Sequence, residues 1–416
     1  MEYLVTLNNG MRVILKKIEG LMSVSVGVLV GAGSSLETEQ ENGISHYIEH
    51  MMFKGTNKRS ALDISGFSDE IGAQINAFTT KEFTCYYMKS TKEHVEDCFE
   101  LLSDMITESV FSVEEQRKEK GVIIEEINMC EDTPDDLCSD LLAEACYGKE
   151  TYGKTILGPK KNVDRFTKED VLAYMKKYYV PENMVISVAG NVEISFIENL
   201  ARCYFEKITQ APCAEKIHEV EFLGDKIQKS KQIEQTHLCL ALPAYPFENP
   251  KNDALSVLSA ILGGSMSSRL FQKIREELGL AYSVYSYQTA YSVCGALSVY
   301  AGVNPSQAQK TLQEIFSVID CLKREGVTQA EFVRAKEQLK GSFVLSQDNT
   351  SSQMILYGKY LLTCNRIFDM QAKLSAMNAL TQNAINEDAK EILQPEKIAL
   401  SAVFAEKKQF DLNSIL

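Results

Sequence analysis

Apolar positions along the chain follow two periods. SVSVGVLV at 23–30 alternates in the manner of a strand, as do residues 84–88 and 185–189. Between these β-branched runs lie long stretches with apolar side chains at every third or fourth position, which predict amphipathic helices. Helix starts are marked as well. Ser112 with Glu115, Thr167 with Asp170, and Thr328 with Glu331 have the spacing of a capping box, while Thr133 before Pro134 pairs a cap with a proline at the first helical position. The pattern predicts layered α and β structure.

The pattern also repeats. VPENMVISVAG at 180–190 resembles QPEKIALSAVF at 394–404, pairing Pro181 with Pro395 and Ser187 with Ser401. Upstream, the starts at Ser112 and Thr328 each follow a helix-like segment, HVEDCFELLSDMI and TLQEIFSVIDCLK. Two pairs at nearly the same offset, in the same order, predict two copies of one fold. The boundaries drawn are 1–212 for an N-terminal domain, 213–232 for a polar linker with room for an edge strand, and 233–416 for a C-terminal repeat.

Composition narrows the function classes. Over 416 residues the formal charge is −14, the wrong sign for sequence-independent binding to nucleic acid or anionic membranes. Eleven cysteines form no CxxC pair and keep no regular spacing, as expected of free thiols in a reducing compartment. The first residues lack the parts of a signal peptide, and no apolar run approaches the length that spans a bilayer. The chain is therefore expected to be soluble and cytoplasmic.

Only five histidines are present, and His46 and His50 lie four apart in HYIEH. A shuffled chain of this composition would contain the HxxEH pattern about once in two hundred trials. On a helix His46, Glu49 and His50 share one face, while Ile44, Ile48, Met51 and Met52 cover the other. Two imidazoles so placed can reach one zinc ion, and the adjacent carboxylate can take a proton from water that the ion activates. A catalytic zinc needs a third protein ligand. The helix predicted to start after Ser112 carries Glu119 and Glu126 on one face, with Glu115 a turn earlier; the repeat has Ala335 and Ser342 at the positions of Glu119 and Glu126. Gly31 and Gly33 are read as a strand-end turn, and His94, His218 and His237 as ordinary surface or strand residues.

HYIEHMMFKGT, then GAQINAFT at 72–79 and VIIEEI at 122–127, resemble the pitrilysin and insulinase family of inverted-motif zinc peptidases, especially short bacterial members akin to the mitochondrial processing peptidase. GAGSSLE at 31–37 and SRLFQKIREELGLAYSVYS at 268–286 extend the likeness over nearly the whole chain. The resemblance implies an α+β fold of two homologous domains, each a mostly antiparallel sheet flanked by helices. It implies His46, His50 and Glu126 as ligands of one zinc ion per chain, Glu49 as general base, and Glu119 as a supporting carboxylate. Asn76 and Ala77 fall on an edge strand that in the family pairs with the substrate backbone. Arg275 and Tyr282 match a pair that reaches the active site from the facing half of the molecule.

The expected function is a zinc-dependent endopeptidase acting on peptides or unfolded segments bound as an added β-strand. The alternative is an inactive partner subunit of a peptidase complex. Because this chain has two such domains where long family members have four, a homodimer is expected, with Arg275 and Tyr282 acting across the interface.

Overall fold

The alternating segments become strands of two mixed sheets in the computed structural model, which describes residues 1–209, 211, 212, 217 and 219–405. Strands β1 (Glu2–Thr6), β2 (Arg12–Lys17), β3 (Ser23–Val30), β4 (Gln74–Thr79), β5 (Thr84–Thr91) and β6 (Met184–Gly190) form the first, in the order β1-β2-β6-β3-β5-β4. Strands β7 (Lys226–Lys231), β8 (Thr236–Ala244), β9 (Ala281–Ala290), β10 (Gly295–Val303) and β11 (Ala399–Ala405) form the second, in the order β7-β11-β8-β10-β9. The five strands β2-β6-β3-β5-β4 have the same order and directions as the second sheet: β2 runs parallel to β6 and β7 parallel to β11, and the other neighbours are antiparallel. This is the α+β architecture of two like sheets expected from the repeat.

Helix starts follow the predicted caps with two differences. The Thr167 box is complete, and Thr328 exchanges hydrogen bonds with Glu331. At Ser112 the hydroxyl accepts from the Glu115 N–H, but the Glu115 carboxylate turns to Lys118 instead of back to the cap. Thr133 stands at the N-cap before Pro134 while its hydroxyl donates to the Met129 carbonyl of the preceding helix. A nearby carbonyl or ammonium competes for a capping group at little cost on a solvated surface.

The chain forms two compact units, each drawn from three segments. The first comprises Met1–Ile127, Thr155–Lys216 and Leu345–Phe368; the second comprises Asn128–Lys154, Ile217–Val344 and Asp369–Leu416. Compactness thus divides the chain differently from the repeat, because each unit takes one helix from the other half of the sequence.

In the first unit, β3 buries Val24, Val26, Val28 and Val30 against helices on one face. Its other face is covered by the helix Thr350–Cys364. Gly358 permits that approach, since a Cβ there would stand 2.5 Å from Leu29 Cδ1. In the second unit Leu240, Leu297 and Leu400 face one core, while the helix Pro134–Tyr147 packs Cys138, Leu142 and Ala145 against Cys239, Ala241 and Val403 on the opposite face.

The paired serines of the repeat hold these helices. Ser187 donates to the Met354 carbonyl and Ser401 to the Cys138 carbonyl, both at 2.7 Å. The expected linker contributes β7 at one edge of the second sheet. His218 lies outside the described residues, whereas His94 pairs with Asp97 and His237 sits in β8 against the Tyr300 hydroxyl.

Candidate metal centre

The HYIEH segment forms the middle of the helix Ile44–Met51, called here the histidine helix. Ile44, Tyr47, Ile48 and Met51 bury its apolar side, so His46, Glu49 and His50 are presented together on the other. Gly43, at a φ of 101°, turns the chain into the helix and has no side chain to cap it. The cap comes from Glu37. Its buried carboxylate accepts the N–H groups of Gly43 at 2.8 Å and Ser45 at 2.9 Å, and the Asn42 amide at 3.0 Å. Burial pushes the Glu37 carboxyl up, and these donors oppose it.

The helix Val113–Asp132 supplies the carboxylates. Glu126 Oε2 lies 3.6 Å from His46 Nε2 and 3.4 Å from His50 Nε2. Ligands about 2.0–2.1 Å from a tetrahedral zinc ion stand about 3.3–3.4 Å apart. The donor set and both separations therefore fit a shared metal, and one ligand atom from each residue lies within 4.8 Å of the others. Glu119 is 4% exposed and holds the far side of one ring: its Oε1 is 2.8 Å from His50 Nδ1, and Lys54 donates to its Oε2 at 2.6 Å. A carboxylate there selects the tautomer that leaves Nε2 free for a metal. Glu115, paired with Lys118, makes no such contact.

The two imidazoles differ electrostatically. Burial, reinforced by the charge on His50, lowers His46 to about 4. Burial also opposes charge on His50, but hydrogen bonds to Glu119 and Glu126 outweigh it and raise that ring to about 9. The His50 contact is the main influence holding Glu126 below the ordinary carboxylate range. Burial raises Glu49, against a hydrogen bond from Thr79.

Thr79 ends β4, and β4 is the outermost strand of its sheet, so one of its edges is unpaired within the sheet. Asn76 is exposed on that strand, and its side-chain oxygen accepts the Ala77 N–H at 2.8 Å. Arg275 and Tyr282 belong to the second unit and meet there. Arg275, on a π-helical segment Phe271–Glu277, has Phe271 4.8 Å and Tyr282 4.7 Å from its guanidinium carbon, and Tyr282 is 75% exposed.

Four contributors went unassigned in the sequence: Glu37, Lys54, Thr79 and Phe271. Phe271 sits one helical turn before Arg275, which is a readable signal. Thr79 is joined to the histidine helix only by tertiary folding, 30 residues from Glu49, whereas Glu37 reaches the helix start across a short turn six residues before Gly43.

Residues 12–160 match the insulinase (peptidase family M16) domain, and residues 165–339 match the peptidase M16 inactive domain. An uncharacterized zinc protease of Bacillus subtilis is 41% identical over 398 residues, covering 96% of this chain and 97% of that protein. Another from Streptomyces coelicolor is 36% identical, covering 93% and 86%. Among solved structures, a protease from Helicobacter pylori superposes with a TM-score of 0.90 at 23% identity over 97% of this chain and 99% of that one. A chain of complex III2 from Candida albicans does so at 0.87 and 19% over 99% and 98%. At those identities the structural likeness speaks to fold.

Proposed function

The chain belongs to the insulinase family, peptidase family M16, and from that premise we propose a zinc-dependent endopeptidase that takes peptides or unfolded segments as an added strand on β4. The observation that carries this reading is the convergence of His46, His50 and Glu126 at metal-ligand spacing beside a half-buried carboxylate, Glu49, that is bonded to the end of an edge strand. His46, His50 and Glu126 would hold one zinc ion, which when bound supplies Lewis acidity toward water and a substrate carbonyl.

The protein's own groups do the rest. Glu49, raised by burial, accepts a proton from the attacking water and returns it to the amide nitrogen as the C–N bond breaks. Glu119, held by Lys54, keeps His50 in one tautomer and orientation. An extended substrate pairs its main chain with β4 near Asn76 and Ala77, so affinity comes from backbone hydrogen bonds that demand little of the side chains. In this reading the Asn76 side chain occupies the Ala77 N–H until substrate displaces it. Tyr282 and Arg275 of a second protomer complete the site in a homodimer, donating to the developing oxyanion and the substrate backbone. Free thiols at the described cysteines suit a reducing, cytoplasmic setting, and no helix among the described residues is long and apolar enough to cross a membrane.

A second reading is an inactive partner subunit of a peptidase complex. Retention of three ligands and the adjacent carboxylate weighs against it. Zinc analysis combined with cleavage of a quenched peptide library separates the two. The expected result is chelator-sensitive cleavage that Glu49→Gln abolishes while zinc is retained; full zinc occupancy without cleavage of any peptide would favour the partner subunit.

A further inference from the structure

The histidine helix is only eight residues long. A helix of that length does not hold itself in place in water, so its position is set by what it touches. Its apolar side rests on the core, but that contact alone leaves its N-terminal end uncapped and free to fray. Glu37 supplies what is missing there. One carboxylate oxygen takes the Gly43 N–H and the Asn42 amide, and the other takes the Ser45 N–H. A negative group also favours the positive end of the helix dipole.

Glu37 is itself fixed from the opposite direction. Ser35 donates to the Lys81 carbonyl through its N–H at 2.9 Å and through its hydroxyl at 2.5 Å, and the Ser34 N–H reaches the Thr80 carbonyl at 3.3 Å. Gly33 lies so close to this turn that a Cβ would stand 2.3 Å from the Thr80 oxygen. Thr80 follows Thr79, the residue bonded to Glu49. The segment from Gly33 to Glu37 therefore forms a bracket with one end on the edge-strand terminus and the other on the start of the histidine helix.

We propose that Glu37 is a positioning residue of the metal centre, setting the histidine helix against both Glu126 and the end of β4; this rests on the peptidase reading above. His46 is the third residue of the helix, so a slip at the cap reaches it directly. Metal sites tolerate ligand displacements of only about 0.2 Å. A glutamine at 37 would turn an amide NH2 toward one set of donors and repel it, while preserving shape.

The test compares Glu37→Gln with Glu331→Gln, which removes a carboxylate that also accepts a backbone N–H at a helix start, but in the second unit. Zinc affinity is measured by chelator competition, amide exchange over residues 43–50 by mass spectrometry, and peptide cleavage as separate kcat and KM. Glu37→Gln is expected to speed exchange over residues 43–47 in the metal-free protein, weaken zinc about tenfold and lower kcat with KM nearly unchanged. Glu331→Gln is expected to lower Tm and leave zinc affinity and local exchange as they were. Wild-type exchange and zinc affinity in Glu37→Gln would overturn the proposal, as would an equal loss of zinc affinity in both variants. Should Glu37→Gln not fold, Asn42→Ala removes one donor to the same carboxylate, and an unchanged zinc affinity there would be equally decisive against it. If the wild type binds zinc but cleaves nothing, the peptidase reading fails while exchange and affinity still decide the role of Glu37.

Discussion

The Thr79 hydroxyl donates a 2.5 Å hydrogen bond to Glu49 Oε2, joining the last residue of the edge strand to the carboxylate beside the candidate metal ligands. Strand and carboxylate are thereby registered to each other. A hydrogen bond to a charged group contributes about 1.5–3 kcal/mol. Thr79→Val, which keeps the shape and loses the donor, should lower kcat/KM by about tenfold or more. Thr79→Ser should stay near wild type; equal activity in all three proteins would remove Thr79 from the account.

Glu119 offers a second check, on the metal instead of the base. Its two oxygens are divided between His50 and Lys54. Glu119→Gln should weaken zinc binding by about 10–100-fold, with a smaller effect from Lys54→Met. Competition with a chromogenic chelator measures both.

The trans arrangement can be tested by mixing. Glu49→Gln and Tyr282→Phe chains, each impaired alone, should recover activity when dimers are allowed to exchange. Random pairing makes half the dimers mixed, with one intact site each, so recovery should approach about a quarter of wild type. Activity that stays at the level of the separate variants would argue for sites completed within one chain.

Acid stability should report on Glu331. Burial alone would raise this carboxyl, but the two-pronged contact with Arg269, at 2.7 and 2.9 Å, and the Thr328 N–H outweigh it and bring it to about 2. A carboxyl depressed on folding stabilises the protein above its unfolded value near 4.5, and that contribution is lost as pH falls through about 2. Allowing for solvent screening, the pair is worth about 1–2 kcal/mol at neutral pH. Urea titrations of wild type and Glu331→Gln should differ by that much at pH 7 and converge toward pH 2.

Packing of the helix from the far half of the chain predicts a stability effect as well. Gly358→Val would drive a side chain into Leu29 and Ser187. Overpacking of this kind costs about 1–3 kcal/mol, and calorimetry should show it as a lowered Tm. Gly341→Ala, where nothing lies within 4 Å of a Cβ, should not destabilise.

Much of the architecture was legible in the chain because it depends on local rules. Alternation at 23–30 located β3 to the residue, and the histidine spacing placed two rings and a carboxylate on one helix face. The repeat of Ser187 and Ser401 likewise marked equivalent strands. What it did not reveal is that each serine holds a helix belonging to the opposite half of the sequence. Amphipathic helices such as 134–147 and 350–364 announce that one side must be buried, but not against which sheet.

The same distinction governs the candidate site. Residue type and spacing determined that His46, Glu49 and His50 would stand together, since a helix brings positions one turn apart onto one face whatever surrounds it. The third candidate ligand could be narrowed only to a glutamate face until family resemblance singled out Glu126. Only tertiary structure decided that Glu126 would lie within 3.6 Å of both rings, that Glu119 would be shared by His50 and Lys54, that Thr79 would meet Glu49, and that Glu37 would close the end of the histidine helix. All but the Glu37 contact, which spans only six to eight residues, join segments far apart in the chain. They follow from burying the apolar side of a short helix against a sheet, a choice made by packing of the whole unit and not by any local period.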